Sequence, residues 1–243
     1  MTPLTAEMDP TLGIEPKPTI GTLLNWMLAD RARFREVLAD PDDQERVLPR
    51  LLGIATSSLF LYGLVMWVVV AATGTDLPFM TGVDGGRPGN LSFAFAYSLG
   101  IVGAVGICLP SFYFFALQCG FRPTLRNIVV AVAGGQALTS IFLIGILPVF
   151  AALILGVERL GGNSEALAVW TKLGLLLPLV AGLVGAAELH EWFTGLAVTL
   201  PDDARARREG VVSFLGLWST ALYVVVAPVL VYQLLMTFGR VGF

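Results

Sequence analysis

Glu188, His190 and Glu191 are residue types that could bind a metal ion or relay protons, and His190 is the only histidine in the chain. Glu188 and Glu191 stand three residues apart, on one face of any helix that carries them. A di-metal carboxylate site draws carboxylates and histidines from several helices. The other apolar segments of this sequence supply none. His190 lies beside Trp192 at the edge of an apolar run, the place of an interfacial side chain. The interfacial reading is preferred over a metal or proton-relay site. No catalytic, cofactor-binding or metal-ligating residue is expected.

Other chemistries find less support. Ser57, Ser58, Ser111 and Ser140 lie in apolar segments without a histidine or paired aspartates to activate them. One histidine cannot supply the paired ligands of a bis-histidine haem. Gly134-Gly135-Gln136 sits inside an apolar run, with neither a preceding strand nor a following lysine, so it is no phosphate loop. Gln136 and Asn127 read instead as interhelical hydrogen bonders. Cys108 and Cys119 share one segment about three turns apart, too far to bridge, and read as inert thiols. The net charge of −3, with no dense basic stripe, argues against nucleic acid as a partner.

The elements that would position these residues are apolar. Of the 243 residues, 56% are hydrophobic and 14% charged, where a soluble domain carries about a quarter charged. Five apolar segments, 51–73, 92–119, 127–157, 166–187 and 211–238, each reach the roughly twenty residues needed to cross a bilayer. Lys172 is the one ionisable group inside them, close enough to an end to snorkel. The predicted fold is an all-α, polytopic membrane bundle of about five transmembrane helices over residues 49–243.

Ahead of the spans, residues 1–19 are acidic and proline-rich and read as a flexible cytoplasmic tail, with no signal peptide. Residues 20–48 read as an amphipathic cytoplasmic or interfacial helix. Leu23, Leu24, Met27, Leu28, Phe34, Val37 and Leu38 form one face, interrupted by Arg31 and Arg35 and closed by Asp40-Pro41. The preferred setting for it is on the cytoplasmic lipid leaflet, with the arginines reaching phosphates; the alternative is docking on the protein's own helix ends.

Arginines sort the connections. Arg46 and Arg50, then Arg122 and Arg126, then Arg205, Arg207 and Arg208 fall on one side; the intervening loop 74–91 holds Asp76, Asp84 and Arg87, and loop 158–165 one arginine. This alternation predicts an inside N-terminus and an outside C-terminus.

Pro110, Pro148, Pro178 and Pro228 fall within spans and read either as hinges or, preferably, as ordinary shaping of the bundle. Ala96, Gly100 and Ala104, with Gly103 and Gly106 alongside, make a small-residue stripe, and Gly182 and Ala186, with Ala181 and Gly185, make another. Such stripes let helix backbones approach, within the chain or against another subunit.

The layout resembles the Yip-type five-span membrane proteins, in particular their bacterial relatives. The likeness runs over about Leu23 to Phe238, carried mostly by Leu109-Pro110-Ser111-Phe112-Tyr113, Gly120-Phe121-Arg122-Pro123-Thr124 and Leu147-Pro148-Val149. The aspartate-leucine-tyrosine-glycine-proline signature of the eukaryotic members, which bind small GTPases, is missing, so that activity does not carry over. The resemblance implies an architecture and a non-enzymatic membrane role. With only Lys17 and Lys172 against many arginines, the composition points to a GC-rich bacterial source and thus a bacterial inner membrane. The expected function is a non-catalytic scaffold or accessory subunit. Its partners would be the lipid bilayer and other membrane subunits or a second copy. A small transporter or channel with proline-kinked helices is the alternative.

Overall fold

The computed structural model describes residues 19–73, 90–118, 123–159 and 164–198, and of the last stretch 210, 213, 214, 216–218, 220, 221 and 225–241. The tail before Thr19, most of loop 74–91 with Asp76, Asp84 and Arg87, and Cys119, Arg122, Arg205, Arg207 and Arg208 lie outside the described residues. The described chain is helical throughout: α1 (Ile20–Ala29), α2 (Arg31–Ala39), α3 (Pro41–Thr73), α4 (Asn90–Gln118), α5 (Leu125–Arg159), α6 (Ser164–Val198) and α7 (Ala227–Val241).

The single predicted helix over 20–39 is two. Asp30 closes one and opens the other: its backbone N–H donates to Trp26 O at 3.0 Å, and its carboxylate accepts from Arg33 N at 3.1 Å. A short acidic side chain that can cap a new helix competes with continuation of the old one. Asp40 repeats the device ten residues on, accepting from Asp42 N at 2.9 Å. Pro41 then occupies the first position of α3, where its missing N–H costs nothing.

From there α3 runs unbroken through Pro49. The predicted boundary between 48 and 49 therefore falls inside a helix. Pro49 gives up the hydrogen bond to the Glu45 carbonyl, next to a glutamate whose side chain is 79% exposed, where water can replace it.

Four helices are long and apolar enough to cross a membrane, over Pro41–Ala72, Ala94–Gln118, Leu125–Val157 and Glu165–Gly195. They cover nearly all of the first four predicted spans, falling short by one or two residues at the ends of the first two. Of the fifth, 211–238, the described part comprises helical residues between 213 and 221, a π turn at Val225–Val226, and α7. Apolar side chains such as Ile107, Val149 and Val169, each more than 60% exposed, coat the outside. Such a surface suits hydrocarbon as its solvent. The protein is an all-α membrane helical bundle.

Helix α5 is its axis. It packs chiefly between α3 and α6, and every residue from Val130 to Ser140 is buried. Helices α4 and α6 run against α3 and α5, and α7 lies along α4. Close backbone approach explains the tightest seam. A Cβ on Gly185 would lie 2.5 Å from Gly135 O and 2.1 Å from Thr139 Oγ1, so α6 and α5 meet backbone to backbone. A Cβ on Gly100 would lie 3.0 Å from the Val231 Cα, which places α7 just as close to α4. The predicted stripe in α4 thus packs within the chain through Ala96, Gly100 and Ala104, whereas Gly103 and Gly106 point to open space.

The prolines differ in setting. Pro178 is buried, whereas Pro110 and Pro148 are exposed on the outer surface. Pro178 removes the N–H that would serve the Gly174 carbonyl one turn earlier. The Tyr62 hydroxyl of α3 donates to that same carbonyl. A defect in one helix becomes a tie to another.

The α1–α2 hairpin docks on the protein, the alternative to the preferred leaflet setting. Leu23, Met27, Phe34, Val37 and Leu38 pack on Val47, Leu51 and Ile54 of α3 and on Val130, Ala133, Ala137 and Leu138 of α5. The reason is length. At 35 residues α5 is about 52 Å long, against a hydrocarbon core of about 30 Å. Its overhang is apolar, and the hairpin sheathes it. Ile20 and Leu28, on the other side of α1, remain exposed.

Candidate functional site

Where α6 continues beyond its predicted span, Glu188 and Glu191 emerge on one face, as their spacing predicts. Opposite them stands Arg35 of α2. Its Nε donates to Glu188 Oε1 at 2.7 Å and its Nη2 to Glu188 Oε2 at 3.2 Å, a two-pronged bond; Nη2 also donates to Glu191 Oε2. The Glu188 side chain is 6% exposed, Arg35 is 33% exposed and Glu191 is 53% exposed. The inner carboxylate is thus sealed and the outer one faces solvent.

Several local bonds aim the arginine. Asp30 sets the start of α2, Arg33 pairs with Glu36 at 3.1 Å, and the Arg33 guanidinium lies 6.0 Å from the Trp26 ring centre. At the other end of α2 the buried Gln44 side chain donates Nε2 to Leu38 O at 2.8 Å, serving a carbonyl that the helix end leaves free. The Arg35 guanidinium is held still further above its usual range, first by its hydrogen bond to Glu188, against the opposing effect of burial, with Glu191 adding to the rise. It stays charged at any accessible pH. A group that cannot release its proton gives no acid–base partner to the two carboxylates, which are committed to charge pairing.

His190 does not join them. Two residues from Glu188, it points to a different side of α6, where a Cβ on Gly216 would lie 2.5 Å from its Nδ1. That nitrogen is buried without a hydrogen-bond partner. An open cavity of about 290 Å³ lies alongside, lined by His190, Leu183, Ala187, Ser213, Gly216 and Thr220. Among the described residues no three histidine, cysteine or acidic side chains converge as metal ligands.

Arg126 also lies elsewhere. It donates to Pro41 O at 2.8 Å and pairs with Glu45 at 3.3 Å, tying the start of α5 to the start of α3. Arg35 was legible only as an interruption of an apolar face. A charge in that position needs a counter-charge when the face is buried, and an acidic pair at a helix end is the complement to look for. The expectation that it reaches lipid phosphates gives way to an internal partner 153 residues away.

Inside the spans, several polar side chains bond internally. Ser98, Thr139, Ser140 and Thr171 donate to Ala94, Gly135, Ala137 and Leu167 carbonyls of their own helices. Gln136 donates Nε2 to Ile101 O of α4 at 3.3 Å, while its Oε1 has no partner.

No family model, curated protein or solved structure matches the chain. The reading of function rests on the sequence and on this geometry.

Proposed function

We propose that the chain is a non-catalytic scaffold or accessory subunit of a membrane assembly, of the Yip-type layout, in a bacterial inner membrane. One observation carries this reading. The buried hydroxyls of Ser98, Thr139, Ser140, Thr171 and Tyr62 donate to backbone carbonyls, and at the bundle end Arg35 bonds to Glu188 and Glu191. A solute path needs a run of polar groups turned toward water, and among the described residues the buried side-chain atoms left without a partner in the spanning helices are Gln136 Oε1, Trp218 Nε1 and, toward the end of α6, His190 Nδ1. What remains for partners is the outer surface, including Gly103 and Gly106, where a neighbouring helix could approach closely. The arginine distribution puts the hairpin and its clasp on the cytoplasmic side and the C-terminus outside.

Purification of the full chain from native membranes, followed by identification of its companions, tests this. A stoichiometric membrane partner is the expected result. A chain that purifies alone and conducts a solute across proteoliposomes would replace the scaffold with the transporter reading.

A further inference from the structure

Helix α7 packs on α4 and helix α6 on α5, and α6 and α7 barely touch each other. Between them lies a cleft of about 150 Å³. Its floor is Tyr97 and Ile101 of α4, and its walls are Leu175, Pro178 and Leu179 on one side and Ala227, Pro228 and Val231 on the other. The cleft reaches the outer surface beside Leu176 and Tyr232, which are 53% and 44% exposed.

Its depth follows from α6. Residues 175–179 lie about 14–20 Å along the helix from Glu188. Glu188 and its paired arginine belong at the edge of the hydrocarbon, since charge is costly further in. Half of a core about 30 Å thick is about 15 Å. The cleft therefore opens sideways near the middle of the bilayer, where hydrocarbon is the surrounding medium.

Size selects the occupant. An aliphatic cavity of about 150 Å³ holds roughly one benzene-sized guest. A helix, about 10 Å across, is too wide to enter. The end of a single acyl or isoprenoid chain fits both the volume and the depth.

We infer that this cleft is a binding site for the terminal segment of one lipid hydrocarbon chain, which enters laterally between α6 and α7 and fills the gap left by their lack of contact. The inference needs only the membrane bundle and is independent of any scaffold role.

The full-length protein in phosphatidylcholine nanodiscs, doped with a phospholipid bearing a diazirine at the end of one acyl chain, provides the test. After illumination, peptides covering 175–179 and 227–235 are expected to be labelled several-fold more than the lipid-facing peptide around Val149. Ala227→Phe and Leu179→Trp, which fill the cleft from opposite walls, should each bring that labelling down to the Val149 level while far-ultraviolet circular dichroism keeps its helical signal. Labelling no greater than at Val149 would overturn the site. So would labelling that persists in a helical Leu179→Trp or Ala227→Phe protein. Native-membrane cross-linking from Leu176 to another protein chain, lost in both variants, would replace the lipid chain with a partner's side chain.

Discussion

The two ends of the described chain are attached to the bundle in opposite ways. The α1–α2 hairpin inserts large side chains, Phe34 and Met27 among them, and adds a two-pronged ion pair. Helix α7 instead approaches α4 over a glycine, with Val231 backbone atoms against Gly100 and, among its described side chains, only Ala227, Val231 and Leu235 buried. The difference follows from the solvent on each side. At the bundle end water is near, so removing apolar surface from it is favourable by about 25 cal/mol per Å². Within hydrocarbon that driving force vanishes, because a lipid tail is as apolar as a leucine. Association there depends on close van der Waals contact, and small residues supply it.

The largest effect should come from emptying the hairpin's core. Phe34 is 1% exposed and its ring lies against Gly134 of α5. Phe34→Ala removes that contact and should cost about 3–5 kcal/mol of hairpin docking. Limited proteolysis is the measurement: cleavage between residues 30 and 40 should appear in the variant while α3–α6 stay protected. If the spanning helices became cleavable to the same degree, the hairpin would be integral to the bundle and the contrast with α7 would disappear.

Arg35→Ala should come next. It leaves the Glu188 carboxylate 6% exposed with no partner, a change that costs about 3 kcal/mol for a buried pair. The position is partly open, so the hairpin should loosen less than with Phe34→Ala. Arg35→Lys keeps the charge but cannot offer the fork, and should lie between wild type and alanine. Arg126→Ala is the comparison on the same bundle end. Its pair with Glu45 is exposed and should contribute about 0.2–1 kcal/mol. Hydrogen exchange of the α2 amides would rank the three, and an Arg126 effect as large as that of Arg35 would contradict the importance of burial.

These residues also mark where sequence reasoning stopped. Four spans were legible because an apolar run longer than twenty residues has few alternatives to crossing a bilayer. The central place of α5 was not. Lipid-facing and protein-facing positions are both apolar, so residues 130–140 look no different from an outer helix. Asp30 had the chemistry of a cap, but the apolar period continued across it on both sides and disguised two helices as one. Pro49 suggested a boundary, although a proline eight residues into a helix, one turn after the exposed Glu45, can stay within it. Within the candidate site the spacing of Glu188 and Glu191 put them on one face, and their partner could not follow from spacing at all. Arg35 meets them only after the hairpin has folded back on the overhang of α5.

The smallest effects decide whether glycine matters by position or by composition. Gly100 and Gly103 lie three residues apart on α4. A Cβ on the first would sit 2.6 Å from Val231 Cγ2, while one on the second has nothing within 4 Å. Gly100→Val should therefore push α7 away and cost about 1–3 kcal/mol, the range for overpacking a tight site. Gly103→Val meets no neighbour in the isolated chain, so its effect should stay within about 0.5 kcal/mol in purified protein. Steric denaturation in detergent mixtures measures both. The second value carries the sharper information when the same variant is made in native membranes. Loss of a co-purifying partner from Gly103→Val, at unchanged stability of the chain itself, would mean that the contact α7 makes with Gly100 is repeated by another subunit at the neighbouring glycine.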